Sequence, residues 1–424
     1  MINKNINFSE LEENEVIFFI RIKGKKSYFN DYYPKSFLNL FSKVKTFRTI
    51  SEYKKDADIL IDFWRYKLSD ISYDEIDFIE KTIPIDSVIK RCRGLRAISY
   101  EEAINLIYKC SKYFIELFKN TKLKLIVSGV VDNYVMDLMF RFAKYYGIKV
   151  LGFTQYFLSP DYILCTTYGE NSKIRECKQS EIEKVFEQLS NGKKSQLALS
   201  KKRAILFSLR SFIFYYGRYL IRYLIGYKLN GNLSYEYRFG NILRSFYKPT
   251  QIMGSKYFDK IKTDYIKELA NNSIYVPLHY YPEATIDYWT ETDNQANYYF
   301  NLQYVIKFFT ERKIFVLIKE HPAFLFGRPI QVYKELKSNP YVILLSPFWE
   351  TQKILENVKN VLVWNGSTGI ESLMLNKCVY KVSENYYSDN KIPYYTDFGS
   401  AKPLSENEKK EILKSVLNSS LRND

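Results

Sequence analysis

Histidine is the scarcest titratable residue in this chain of 424: only His279 and His321 occur. Cysteine is also sparse. Cys92, Cys110, Cys165, Cys177 and Cys378 are odd in number and scattered, and no pair has CxxC spacing. That excludes a disulfide framework or a zinc site as the organising device and suits a reducing compartment. No apolar run reaches the ~18 residues a transmembrane helix needs. The opening "MINKNINFSELEENE" is polar and acidic and does not read as a signal peptide. Acidic residues are missing from one long stretch. Between Gln188 and Tyr235 there is no Asp or Glu, yet nine Lys or Arg.

What is present bounds the class. Apolar residues make up 46%, enough for real cores, and the length suits two domains. The net charge of +16 favours an anionic partner: nucleic acid, acidic lipid head groups or a phosphorylated substrate. Nucleic acid is disfavoured, because the charge concentrates near the central segment and no reading motif accompanies it.

Short apolar runs alternate with helical patterns in both halves. "EVIFFIRI" (Glu15–Ile22), "ADILIDFW" (Ala57–Trp64), "LKLIVSG" (Leu123–Gly129) and "IKVLGFT" (Ile148–Thr154) read as strands. A helical stretch between the last two makes a βαβ unit, hence a parallel sheet. In the second half "SIYVPLHY" (Ser273–Tyr280), "IFVLIKE", "YVILLSP", "VLVWNGS" and "CVYKVS" follow the same plan, with a helix expected over Gln295 to Glu311. These runs lack alternation, as strands do when helices cover both faces of a sheet. The expected fold is α/β, with two doubly wound Rossmann-like domains facing a cleft. Residues 1–187 would form an acceptor-side domain and 251–400 a nucleotide-binding domain. Residues 188–250 would be a basic helical insertion, and 401–424 a helix and tail.

In the insertion, Arg203, Arg210, Arg218, Arg222 and Lys228 fall within roughly a third of a helix circumference. Basic residues opposite an aliphatic and aromatic face suit a helix lying on an anionic membrane surface, with Arg210, Arg218 and Arg222 as contacts. A partly buried helix with solvated arginines satisfies the same pattern.

Both histidines stand at expected strand ends, where parallel sheets bind ligands. His321, in "KEHP", can donate to a phosphate oxygen or, protonated, act as a general acid. Pro322 ends the strand, and Lys319 adds positive charge. A capping histidine is the structural alternative. His279 is followed four residues later by Glu283, and the two histidine loops could converge on one crevice. "VLVWNGSTGIESLML" reads as strand, tight turn and helix. Asn365, Gly366, Ser367 and Thr368 would form an anion-binding turn, although Ser and Thr are also ordinary caps. Glu350, in "SPFWE", could accept ribose hydroxyls or simply complement a helix dipole. Asp132, just beyond "LKLIVSG", could serve as a general base or as an N-cap. Asp161 and Glu170 are further acids near that edge.

"KEHP", "SPFWE" and "WNGSTGIESLMLNKCVY", in that order, resemble the carboxyl-terminal domain of bacterial capsule and surface-polysaccharide glycosyltransferases of the GT-B fold. The CMP-sugar-dependent Kdo and (poly)sialyltransferases are the nearest group. The resemblance covers roughly Ile274 to Tyr387. It implies that His321 stabilises the departing nucleotide, that Ser367 and Thr368 hold its phosphate, and that Glu350 binds the ribose. Lys319, Pro322, Asn365, Gly366 and Glu371 complete the implied donor site. Ser-Thr replaces the sialyltransferases' Ser-Ser, and Trp349 and "PLHYYPEAT" are additions. These departures put the sugar and the base in question. The resemblance further implies catalysis without a metal or other cofactor, with Asp132 taking the acceptor's proton. The partners would be a nucleotide-sugar donor and a polysaccharide or lipid-linked acceptor, at the inner face of the cell membrane. Two other readings fit the same layout: a CDP-glycerol-type polyol-phosphate transferase of teichoic-acid type, and a non-catalytic capsule assembly or export protein.

Overall fold

Twelve strands run through the described residues: β1 (Glu15–Phe19), β2 (Thr46–Ser51), β3 (Ile59–Leu60), β4 (Leu123–Gly129), β5 (Lys149–Gln155), β6 (Tyr162–Leu164), β7 (Ser273–Pro277), β8 (Phe315–Lys319), β9 (Val342–Leu345), β10 (Asn360–Val363), β11 (Cys378–Lys381) and β12 (Ser420–Arg422). The structure is a computed structural model. It describes residues 15–19, 38–39, 41–42, 44, 46–51, 57–119, 121–155, 158, 161–192, 202–203, 205–206, 209–210, 213, 249–281, 283–325 and 327–422. The chain divides into two units. One is built from residues up to Cys177 together with the segment from Ser415 onward, the other mainly from residues between Lys178 and Lys414.

The first unit holds a seven-stranded sheet in the order β12-β6-β5-β4-β1-β2-β3. The pairs from β5 to β3 are parallel, and β6 and β12 add an antiparallel edge. Helices Tyr100–Lys119 and Tyr134–Tyr145 pack on one another beside it. The second helix starts at Asn133, whose side chain accepts from the Met136 N–H at 2.9 Å. Asn133, not Asp132, is therefore the N-cap.

The second unit holds a five-stranded parallel sheet in the order β11-β10-β7-β8-β9. All of β9, β10 and β11 is buried, as is β8 beyond Phe315. Ile274, Val276, Val316, Ile318, Leu344 and Leu362 join Tyr298, Leu302 and Phe309 of helix Tyr298–Thr310 in one core. Unalternating apolar strands thus end up covered on both faces, for the reason the sequence suggests.

Several expected boundaries move. "ADILIDFW" contributes only Ile59–Leu60 to the sheet before the chain turns into a 3-10 helix at Phe63–Arg65. Helix Gln179–Ser190 belongs to the second unit rather than the first. It buries Ile182, Val185 and Leu189 and packs against helix Thr368–Met374. The last residues, expected as a helix and tail, form helix Glu406–Asn418 and then β12, whose backbone pairs with β6. Arg218 and Arg222 lie outside the described residues. Arg210 is helical and exposed, as is Arg203. Among the described residues no helix is long and apolar enough to cross a membrane.

Candidate functional site

The second sheet reverses its strand order at its centre. From β7 the chain builds outward through β8 and β9, then crosses to lay down β10 and β11 on the other side. The crevice beyond the carboxyl ends of β7 and β10 is therefore a topological switch point, the usual ligand position in an open α/β sheet. His279 follows β7, and the Asn365–Thr368 turn follows β10.

These two segments touch. A Cβ added to Gly366 would lie 3.4 Å from His279 Cε1 and 3.6 Å from its Nε2. Only a residue without a side chain leaves the imidazole edge uncovered there. Asn365 is fully buried, and its amide donates to the Thr285 carbonyl at 2.7 Å, bracing the turn against the loop after β7. The Tyr387 hydroxyl donates to the Gly366 carbonyl at 3.0 Å, and a side chain at Gly369 would collide with that hydroxyl. Ser367 occupies the N-cap position of helix Thr368–Met374, but its side chain makes no capping bond. The Ser367 hydroxyl is thus not spent on capping that helix.

His321 follows β8. Pro322 opens a single 3-10 turn, in which the Phe324 N–H donates to the His321 carbonyl at 2.9 Å. The Tyr280 ring stands edge-on to the imidazole, 5.8 Å between centroids. Burial, with the nearby His321 and the Arg328 charge, pulls His279 down to about 3. Burial and the charges of Lys319 and Arg328 pull His321 down to about 3 as well. Both imidazoles are therefore neutral at pH 7, each with one N–H to donate. Of the two forms considered for His321, burial and the two neighbouring cations favour the neutral donor over the protonated acid.

Strand alternation separates Lys319 from Glu320. Lys319, buried, reaches Thr351 Oγ1 at 3.2 Å. Glu320 turns the other way, into a buried network that sequence reasoning missed. Arg328 Nε donates to its Oε2 at 2.5 Å and Arg328 Nη2 to its Oε1 at 2.8 Å. The Tyr333 hydroxyl and the His321 N–H complete the set at 2.6 and 2.7 Å. The available signal was a carboxylate closing the apolar run "IFVLIKE", since a charge buried there requires a partner.

The other expected residues fall in different places. Glu350 is the backbone N-cap of helix Thr351–Asn357, but its side chain makes no cap bond. It stands 59% exposed, 3.5 Å from Lys353. Glu283 precedes the short helix Ala284–Asp287, next to the His279 loop. Glu371 lies on the helix after the turn, where its charge acts on Tyr386 and Tyr387. In the first unit Asp132 forms an ion pair with Arg93, both side chains about 10% exposed. Glu170 is committed to its own loop, accepting from the N–H groups of Thr167 and Tyr168 and from the Thr166 and Thr167 hydroxyls. Among the described residues no three His, Cys, Asp or Glu gather as a metal site would require.

Fold and site together define an α/β protein of two sheet units, the second with a ligand crevice at its switch point. Among solved structures, the chain is similar to a beta Kdo 2,7 transferase, KpsC of Thermosulfurimonas dismutans, at 12% identity; the match covers 72% of this chain and 80% of that one, with a TM-score of 0.36. It is also similar to the beta Kdo 2,4 transferase KpsC of the same organism, at 11% identity over 70% and 79% of the two chains, TM-score 0.32. A third match is the UDP-GlcNAc 2-epimerase of Methanocaldococcus jannaschii in complex with UDP-GlcNAc and UDP, at 11% identity over 94% and 91%, TM-score 0.27. No protein-family model and no curated protein matches the chain.

Proposed function

We propose that this chain is a glycosyltransferase. It would move a sugar from a nucleotide-sugar donor, of CMP-Kdo or CMP-sialic-acid type, to a surface polysaccharide or lipid-linked acceptor. The observation that carries this reading is the contact of His279 with the Gly366 turn beyond the carboxyl ends of β7 and β10, with His321 on the neighbouring loop after β8 near enough to act electrostatically on His279. Two neutral imidazoles with the Ser367 and Thr368 hydroxyls would make a donor-rich crevice. Such a pocket suits a phosphate that gains charge as its bond to the sugar breaks.

In the proposed reaction the acceptor hydroxyl attacks the anomeric carbon and the carbon–oxygen bond to the phosphate breaks. The pocket stabilises the departing nucleotide, and Asp132 takes the acceptor's proton. To do so Asp132 would exchange its ion pair with Arg93 for the acceptor hydroxyl. We assign hydrogen bonds to the phosphate to His321, His279, Ser367 and Thr368, with Lys319 as the positive charge and no metal required. Glu350, exposed and paired with Lys353, is the residue we assign to the ribose. The basic segment containing Arg210, Arg218 and Arg222 would hold the enzyme at the anionic inner face of the cell membrane.

A thermal-shift screen with CMP, UDP, GDP and CDP tests the donor, because a ligand that binds only the folded state raises the midpoint. A CMP-selective rise that disappears in His321→Ala is the expected result. A UDP- or GDP-selective rise would redirect the donor. Stabilisation by CDP, followed by turnover of a CDP-polyol, would favour the polyol-phosphate transferase. No shift with any nucleotide would favour the assembly-protein reading. Membrane association is checked by sedimentation with anionic and neutral liposomes; failure of the wild type to bind the anionic ones would remove that part.

A further inference from the structure

A buried ion pair joins the two histidine loops from below. Glu320 is the residue before His321, and Arg328 lies after the turn that follows Pro322. Four donors fill the Glu320 carboxylate: Arg328 Nε, Arg328 Nη2, the Tyr333 hydroxyl and the His321 N–H. Arg328 Nη2 has a second partner, the backbone carbonyl of His279, at 2.9 Å. One guanidinium therefore binds the loop after β7 directly and the loop after β8 through Glu320. The Phe324, Tyr299 and Tyr298 rings surround it, with centroids 5.3, 5.6 and 5.9 Å from Cζ. Both members of the pair are essentially inaccessible to solvent.

This geometry is more specific than stability requires. The carboxylate would be satisfied by Arg328 and Tyr333 alone. It also orders the backbone of His321, while the guanidinium orders the backbone of His279. Those two residues sit on separate loops, and the sheet by itself sets only the strand ends, not the imidazoles. A planar fork with five donors can meet the carboxylate and the carbonyl at once; an ammonium cannot do so in one geometry.

We propose that Arg328 and Glu320 are positioning residues that set His279 and His321 relative to each other, so that both imidazoles meet the same phosphate. Neither member touches the ligand. The inference rests on reading the crevice as a phosphate site. Among the described residues, the charged or titratable groups around the imidazoles include Lys319, Glu320, Arg328, Tyr280, Tyr298 and the other histidine, with Glu283 acting on Tyr298.

With only two histidines, imidazole NMR of the full-length protein shows two side-chain signals, assigned from His279→Gln and His321→Gln. In Arg328→Lys both signals should move, and both titration midpoints should rise together toward the ordinary histidine value. The midpoint of CMP titration should weaken tenfold or more. Tyr333→Phe removes one donor and keeps the ion pair, so both signals should move in the same direction by less. If Arg328→Lys does not fold, Tyr333→Phe decides by the same two-signal criterion. Unchanged imidazoles in a folded variant, or movement of one alone, would overturn the positioning role. If CMP, UDP, GDP and CDP leave both wild-type imidazoles unmoved, the phosphate-site reading fails. The joint response of the two signals to Arg328→Lys still reports on the positioning pair in that case.

Discussion

His321 and Gly366 carry different burdens, and substitutions should separate them. The His321 ring is half-buried and packs edge-on to Tyr280. His321→Ala should lower transfer by about 10²–10³-fold, the usual effect of losing one donor to a developing anion. Its melting temperature should stay close to that of the wild type; a large fall would mark His321 as a structural cap. Gly366→Ala should fold normally, because its Cβ meets only the rim of His279, yet it should lose the nucleotide-induced thermal shift. Gly369→Ala should instead destabilise by about 1–3 kcal/mol in urea melts, since overpacking displaces Tyr387. Both histidines were legible as candidates because they are rare and stand at strand ends. Arg328 was not, since its partners Glu320 and His279 are brought to it only when the Pro322 turn folds back.

At the level of elements, the loops after β7 and β8 depend on one buried charge pair. Glu320→Ala leaves a guanidinium buried without its counter-ion and should cost about 3–5 kcal/mol of unfolding free energy. Replacing both partners together, Glu320→Leu with Arg328→Met, should recover much of that stability, because apolar side chains avoid the desolvation cost of two ions. The double variant should remain inactive, and chemical denaturation alongside a transfer assay checks both halves. Elements of the second sheet could be read from continuous apolar runs. β2, "TFRTIS", has only two apolar residues, Phe47 and Ile50, so it forms no apolar run and escaped notice. β12 is three residues long and exists because β6 offers an unpaired edge.

For the whole molecule, the two depressed histidines set an acid limit. Each has a folded value of about 3 against an ordinary 6.5, so between these values the unfolded chain binds protons that the native state does not. Stability is then fully present above about pH 6.5 and falls as the pH drops toward 3, by up to about 1.4 kcal/mol per pH unit per imidazole. His321, with some access to solvent, should contribute less than His279. Melts from pH 7.5 to 4.5 should show this fall, and His279→Gln should flatten it. An equal slope in that variant would assign the acid sensitivity to carboxylates instead. Strand order belongs to this scale too. The sequence shows alternating strands and helices, but not that β7 and β10 become neighbours or that the chain returns to the first sheet through β12.

The sequence by itself determined the α/β class, the parallel strands of the second half, and the placing of two scarce histidines and a small-residue turn at strand ends. These are local properties, written in apolar runs and the residues that stop them. Tertiary structure alone decided that His279 lies against Gly366, that both imidazoles are neutral, that Asp132 faces Arg93, and that Arg328 links two loops. Dielectric, counter-charge and hydrogen-bond partner all depend on which distant segments fold over a residue, and no spacing along the chain encodes them.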